Sequence, residues 1–562
     1  MSHFLKGKHV AFILVAITLV AGVMGGVALR GASHAAAPAK AGRMAVSNSK
    51  SAFCSQVGKT IFVSSGAMMY CFGPQPNGPG AGTHSNKKNR FGSNVDAASP
   101  AEDVSPNGTQ AYGQSEVSTA AVGSYVVEGW NDATAFFSPP CSPGNKDQLS
   151  GWGFSSNGGK SFTDEGGLPN TDCATSSWSG DPSVEAWAPG GTPYFYQSGL
   201  ISGSFPGGAF GLDVALTACK VSPPSSITCN PTPTFLTDSP GSINIEDKEF
   251  MSIDPVRQIL YVSFTDFFNG PNGDDITLWA CDISNPGTPV CHGPLYVAGT
   301  SPCEVEGAYP AVDLATGDVY IAYESNWATN IFTPACFSVP VQNVVNQVGS
   351  PCTLPVATFP NACPAENAFT KAAVNITSMD AALIPGYNRF PMNDFPRIAV
   401  SDPFKTVSIV WNDARFHPAG DILLQSFWKS TFPATVQSAP VRINSATGGW
   451  HMLPALRNTD DDGDLQISFY GRASANTDVT NVYAAIDVAP TTTATHGNVL
   501  VTTAPSAWVD VSSDIIPNFG DYTDNYVIAT AGAPYTQQTL YVAWSDGRLG
   551  DPQPFNAHAH TN

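Results

Sequence analysis

Charge is what this 562-residue chain has least of: charged residues make up 12% of it, against roughly 25% in ordinary soluble proteins. Lysine and arginine number 25 and acidic residues 45, a formal net charge of −20. A surface that binds phosphates needs clustered cations, so nucleic acid is excluded as a partner. No Cys-x-x-Cys pair occurs, which removes zinc ribbons and thioredoxin-like motifs. There is no Gly-x-Ser-x-Gly elbow and no glycine-rich phosphate loop leading into a helix. Helical periodicity is nearly absent. Turn formers are plentiful: 52 glycines and 46 prolines punctuate the chain. Hydrophobic residues at 42% and aromatics at 10% are too many for a disordered protein.

Lys6 and Lys8 precede an apolar run from Val10 to Leu29, and small residues with Ala-x-Ala spacing follow around Ala35 to Ala37. Residues 1–37 read as a secretory signal peptide. The run is about 20 residues, enough to span a bilayer, so an uncleaved membrane anchor is the alternative. Both readings make the rest of the chain secreted or surface-exposed outside the cytoplasm, with no further membrane contact. All 12 cysteines follow the leader, and an even count in an exported chain implies disulfides. Sequential pairing is the simplest arrangement: Cys54–Cys71, Cys141–Cys173, Cys219–Cys229, Cys281–Cys291, Cys303–Cys336 and Cys352–Cys363. In Cys219–Cys229 and Cys281–Cys291 the partners are ten residues apart around a Pro-containing turn, as a bond across a hairpin requires.

A repeat runs down the chain. Each copy opens on a polar or acidic residue and a short strand, turns, and ends in a second strand rich in Val, Ile, Tyr and Trp. The copies begin at Ser115, Gly180, Asp247, Gly307, Asn393, His451 and Gly520. Their spacings of 65, 67, 60, 86, 58 and 69 residues leave room for four strands each. The expected fold is an all-β, disulfide-stapled β-propeller of seven four-stranded blades, or six if one unit is an insertion. Two β-sandwiches are the competing arrangement. Trp130, Phe264, Tyr323, Trp411, Phe469 and Trp544 recur at one place in the second strands and are expected to pack between blades.

The propeller is assigned to residues 112–562, with an insertion at about 325–390, and residues 38–111 form an N-terminal extension. "DPQPFNAHAHTN", after the last repeat, is too short to complete a blade. Ring closure is therefore expected to borrow a strand hairpin from "KTIFVSSGAMMYCF", beginning at Lys59, with Gly73 to Gln110 a loop and His558 and His560 in a disordered end. The acidic run Asp460 to Asp464 reads as a solvated turn between a unit's first two strands, since it lacks the spacing of a calcium loop.

"SSNGGKSF", Ser155 to Phe162, resembles the Asp-box (Ser-x-Asp-x-Gly-x-Thr-Trp) of secreted sialidase-like BNR-repeat propellers, with Asn157 for Asp, Ser161 for Thr and Phe162 for Trp. "GDPSV" from Gly180 and the closing "FGDYT … LYVAWSDGR" share the resemblance, which covers roughly residues 112–555. It implies a hairpin turn between a blade's third and fourth strands. It further implies glycan recognition, with hydrolysis by a Tyr nucleophile, a Glu that assists it and an Asp acid/base where the protein is catalytic. Arg397, Arg415, Arg457, Arg472 and Arg548 lie in the repeats; Arg415, Arg472 and Arg548 follow second strands and suit nearby aspartates.

If the first strand of each unit is innermost, the residues that lead it ring one mouth of the channel. These are Glu116, Asp181, Asp247, Lys248, Glu249, Glu306, Asp394, His451, Asp521 and Tyr522, with Arg397 close behind. Three readings of this ring stand open. The acids cap backbone amides at their own strands. Or Asp181, Asp247, Asp394 and Asp521 hold a Ca²⁺ ion, though no cofactor is otherwise required. Or they form a glycosidase set, with Tyr522 as nucleophile, Glu249 or Glu306 as its base and Asp181 as acid. Glu116, Lys248, Asp394, Arg397, His451 and Asp521 would then bind the ligand. The functional expectation is an exported glycan-recognising propeller with glycoside hydrolase activity as its extension; the alternative is a non-catalytic extracellular binding or scaffold protein.

Overall fold

Alternating and fully apolar strands, cut by turns every few residues, leave one economical way to bury both faces of each sheet: stacking the sheets radially. The computed structural model shows this arrangement. It describes residues 51, 54, 55, 57 and 63–72 and, with internal gaps of which 142–147, 205–209, 237–244, 328–339, 350–355 and 530–537 are the longest, residues 91–561. Seven antiparallel sheets are present, five of four strands and two with additional short strands. The innermost strands are Gln114–Val122, Ser183–Trp187, Glu246–Asp254, Glu304–Val312, Arg397–Ser401, His451–Asn458 and Asp524–Ala529. Each packs against the next round the ring, and the last against the first. The unit's first strand is therefore the axial one. Trp130, Phe264, Tyr323, Trp411, Phe469 and Trp544 are all buried.

Ring closure departs from expectation in its details. The stretch after Arg548 does complete a blade: Gln553–Thr561 is the third strand of blade seven, and His558 and His560 lie within it rather than in a disordered end. The borrowed strand does come from the N-terminal side, but it is Val95–Asp96, inside the segment read as a loop, paired as Val95 with Asn556 and Asp96 with Phe555. The expected hairpin is replaced by a helix, Ser65–Phe72. Ala, Met and Met in that stretch are good helix formers, and an apolar run this short does not reveal its period. Val57, Val63 and Ala67 from this segment join the core of blades two and three beside Leu212, Met251 and Phe267. The stretch read as an insertion carries blade four's third and fourth strands, Gln342–Val348 and Thr370–Asn375.

Four of the expected disulfides are formed: Cys54–Cys71, Cys141–Cys173, Cys219–Cys229 and Cys281–Cys291. The last two join directly opposed residues of third and fourth strands. Cys303 and Cys363 are also disulfide-bonded. Cys336 and Cys352, and the leader at 1–37, lie outside the described residues. Among the described residues no helix is long and apolar enough to cross a membrane. Disulfides in this number point to an oxidising, non-cytoplasmic compartment.

Ser155 to Phe162 turns between the third and fourth strands of blade one, where the Asp-box resemblance puts it. Asn157 Oδ1 accepts from the amides of Lys160 and Ser161, both at 3.1 Å, and Gly158 and Gly159 supply the left-handed backbone at φ +74° and +75°. The Asn side chain does the turn-closing work of an aspartate.

Candidate functional site

Six of the seven units share a local distortion at the axial strand. Where each inner strand begins, or just before it, one residue has positive φ: Glu116 (55°), Asp181 (54°), Lys248 (58°), Gly307 (71°), Leu453 (49°) and Gly520 (73°). In blades one, three, four and six the strand register slips at this residue, which marks a β-bulge. Non-glycine residues hold a left-handed backbone only where the surroundings compel it. Here the compulsion comes from contacts across the ring.

Lys248 is the hub. Its ammonium lies 2.6 Å from Asp521 Oδ2, 3.3 Å from Glu116 Oε1 and 3.4 Å from Asp181 Oδ2. All four side chains are buried. Burial acts to lower the Lys248 ammonium, but Asp181, Asp521, Glu116 and Asp247 more than reverse it and hold the group charged. Asn131 ties two of the acids together: its Nδ2 donates to Glu116 Oε2 at 2.7 Å, and its Oδ1 accepts from the Asp181 amide at 2.6 Å. Asp521 has a second cation, Arg389, with Nε 3.1 Å from Oδ1.

The mouth above this cluster is covered by the N-terminal segment. The Ser64 amide donates to Asp247 Oδ2 at 2.5 Å, and Arg389 donates to the Val63 carbonyl at 3.0 Å. From the other side, the Tyr387 hydroxyl donates to the Gly520 carbonyl at 2.8 Å. Glu249 and Glu306 are buried nearby, and burial, reinforced by the charges of Asp181 and Asp247 respectively, lifts both carboxyls well above the usual range.

Below the hub the channel is filled by rings. The Arg397 guanidinium stacks 4.2 Å from the centre of Phe250, 4.8 Å from Tyr309 and 5.3 Å from Tyr522. The Tyr522 hydroxyl donates to the Pro182 carbonyl at 3.0 Å, and burial, then Asp181 and Glu116, push the phenol well above its ordinary value. Lower still, Arg457 pairs with Glu185 at 2.7 Å.

Of the residues expected at the mouth, Glu116, Asp181, Lys248 and Asp521 meet directly, and Asp247, Glu249, Glu306 and Tyr522 surround them. Asp394 is bonded instead by Asn412, and burial holds its carboxyl well above the ordinary range. His451 makes contacts of 3.3 Å to the Gly420 carbonyl and 3.4 Å to Asn444, and burial lowers its pKa. Arg415 and Arg548 pair with Asp413 and Asp546 as expected, both at 2.6 Å. Arg472 differs: it donates to the carbonyls of Pro385 and Thr477 at 2.8 and 3.0 Å and to Thr480. Arg389, Asn131 and Ser64 were not expected at the site. They lie outside the repeat's leading positions, so the repeat gave no signal for them. Among the described residues no group of three or more His, Cys, Asp or Glu is arranged to hold a metal ion.

No family model matches the chain, and no curated protein matches it. Solved structures do. A protein of unknown function from Dyadobacter fermentans is 10% identical with a TM-score of 0.39, covering 83% of this chain and 97% of its own. An α-L-arabinanase from Penicillium chrysogenum is 8% identical with a TM-score of 0.37, covering 83% and 98%. A Hadza microbial sialidase is 9% identical with a TM-score of 0.37, covering 74% of each. Likeness this distant carries no chemistry from those proteins to this one.

Proposed function

We propose that the chain is an exported, non-catalytic propeller that serves as a rigid glycan-binding platform and does not hydrolyse glycans at its axis. The observation that carries this reading is the burial of Lys248 among Glu116, Asp181 and Asp521 under the Val63–Ser64 segment. A glycosidase needs two reacting groups flanking an open pocket, one of them free to ionise. Here Glu116, Asp181 and Asp521 are spent on an internal cation, and burial raises the Glu249 and Glu306 carboxyls and the Tyr522 phenol above their ordinary values. The axial constellation thus works as a keystone that locks seven blades together. The disulfides support export. The Ca²⁺ alternative makes binding or thermal stability sensitive to EDTA; the keystone reading makes both indifferent to it.

The test is to incubate purified protein with aryl glycosides and natural oligosaccharides and follow release of reducing ends, beside Asp181→Asn and Tyr522→Phe. The expected result is no turnover in any of the three. Turnover by the unmodified protein that either substitution abolishes overturns the reading.

A further inference from the structure

We propose that the groove on the outer flank between blades five and six binds an acidic saccharide, with Arg442 receiving the sugar carboxylate. The groove encloses about 540 Å³ between the two-residue outer strand of blade five, Val441–Arg442, and the connection at 489–497 in blade six. Four features define its chemistry. The Phe416 side chain lines it and is 53% exposed, a flat apolar platform of the kind a pyranose face covers. Arg442 lines it too, and has no ion-pair partner among the described residues; its Nε is buried without a hydrogen bond. The other described arginines outside the axis behave differently: Arg257, Arg415 and Arg548 each hold an aspartate, and Arg472 is spent on carbonyls. In a chain of net charge −20 a guanidinium left without an acid is an unfilled anion site.

Third, Gln437 is 9% exposed and fixed by the bond its Nε2 makes to the Thr492 carbonyl, which leaves Oε1 without a partner as an acceptor. A buried acceptor left open costs stability unless a ligand donates to it. Fourth, the rim carries the hydroxyl residues Ser438, Thr493 and Thr495. One aromatic plate, one planar cation, one fixed acceptor and a hydroxyl rim match a ring sugar that carries both hydroxyls and a carboxylate. This assignment rests on the platform reading and names its ligand class.

The experiment is a glycan array of neutral, uronic-acid and nonulosonic-acid saccharides, followed by calorimetry with the best binder, its methyl ester and an acidic hexapeptide. Wild type, Arg442→Ala and Phe416→Ala are compared, with melting curves showing that each is folded. Phe416 is exposed, so its replacement leaves the fold intact even if that of Arg442 does not. The expected result is retention of carboxylated sugars, about 10- to 100-fold weaker in Arg442→Ala and for the methyl ester. Phe416→Ala weakens binding about 5-fold. Equal binding of ester and acid, equal binding of the peptide, or unchanged affinity in both folded variants overturns the groove assignment and leaves the platform standing. Absence of any glycan binding overturns both. Turnover at the axis overturns the platform alone.

Discussion

Lys248 and Asp521 stand 273 residues apart in the chain and 2.6 Å apart in the fold. Their pairing bridges blade three to the start of blade seven across the axis. Glu116 and Asp181 complete the ammonium's shell, and Arg389 balances the far oxygen of Asp521.

Removing the cation leaves three carboxyls without it. Breaking a buried pair from one side costs about 3–5 kcal/mol. Lys248→Met is therefore expected to lower the melting temperature sharply at neutral pH. The loss shrinks as pH falls below about 4, where the carboxyls take up protons in the unfolded chain as well. Thermal melts of the variant across pH check this; an equal deficit at all pH values contradicts it.

Buried carboxyls with raised pKa values give the propeller an acid-favouring stability profile. Burial raises Glu128 from 4.5 to about 8 and Asp132 from 3.8 to about 8. For a group whose folded value is raised, the stabilising contribution is complete below the unfolded value and is lost as pH climbs through the folded one. Stability is thus expected to fall between pH 4.5 and about 8. Glu128→Gln, which keeps an acceptor for Asn556, flattens that slope. Denaturant midpoints at pH 4.5, 6 and 8 read it out, and a profile that rises with pH refutes it.

The cover over the mouth is closed on itself by one disulfide. Cys54 and Cys71 close a loop of 17 residues, a constraint worth about 3 kcal/mol to a local unit. In a Cys54→Ser, Cys71→Ser variant the Ser64 amide, which donates to Asp247, is expected to exchange with deuterium at least tenfold faster while the strand amides of blade five are unchanged. Uniform acceleration across the blades speaks against a separable cover.

Asn157→Ala removes the acceptor that two turn amides share and is expected to destabilise blade one by about 1–2 kcal/mol. Asn157→Asp keeps the acceptor and is expected to be nearly neutral, which chemical denaturation of both variants measures.

The seven units were legible because inner and second strands keep their apolar pattern through every copy, and the ring's geometry then forces their leading residues together. Glu116, Asp181, Lys248 and Asp521 could be named for that reason. The left-handed backbone at Glu116, Asp181 and Lys248 could not, since none is glycine and nothing local announces the twist. Arg389 was hidden because it sits in the irregular stretch before blade five, outside any repeat. The last strand carries its own signal, since Ala557 and Ala559 are buried while His560 is exposed, the period of a half-buried strand, but the chain after the seventh repeat is too short for that period to stand out.

The seam of the ring has a temporal consequence. Blade seven cannot be laid down until Gln553–Thr561 is available to receive Val95–Asp96, so the two ends of the described propeller wait for each other. Closing so long a loop is slow and entropically costly, and until it happens the edge of Gln553–Thr561 lies open as a template for another chain. A clasp fastened last makes the finished molecule hard to open from either end, and makes its unfinished form the one most in need of protection.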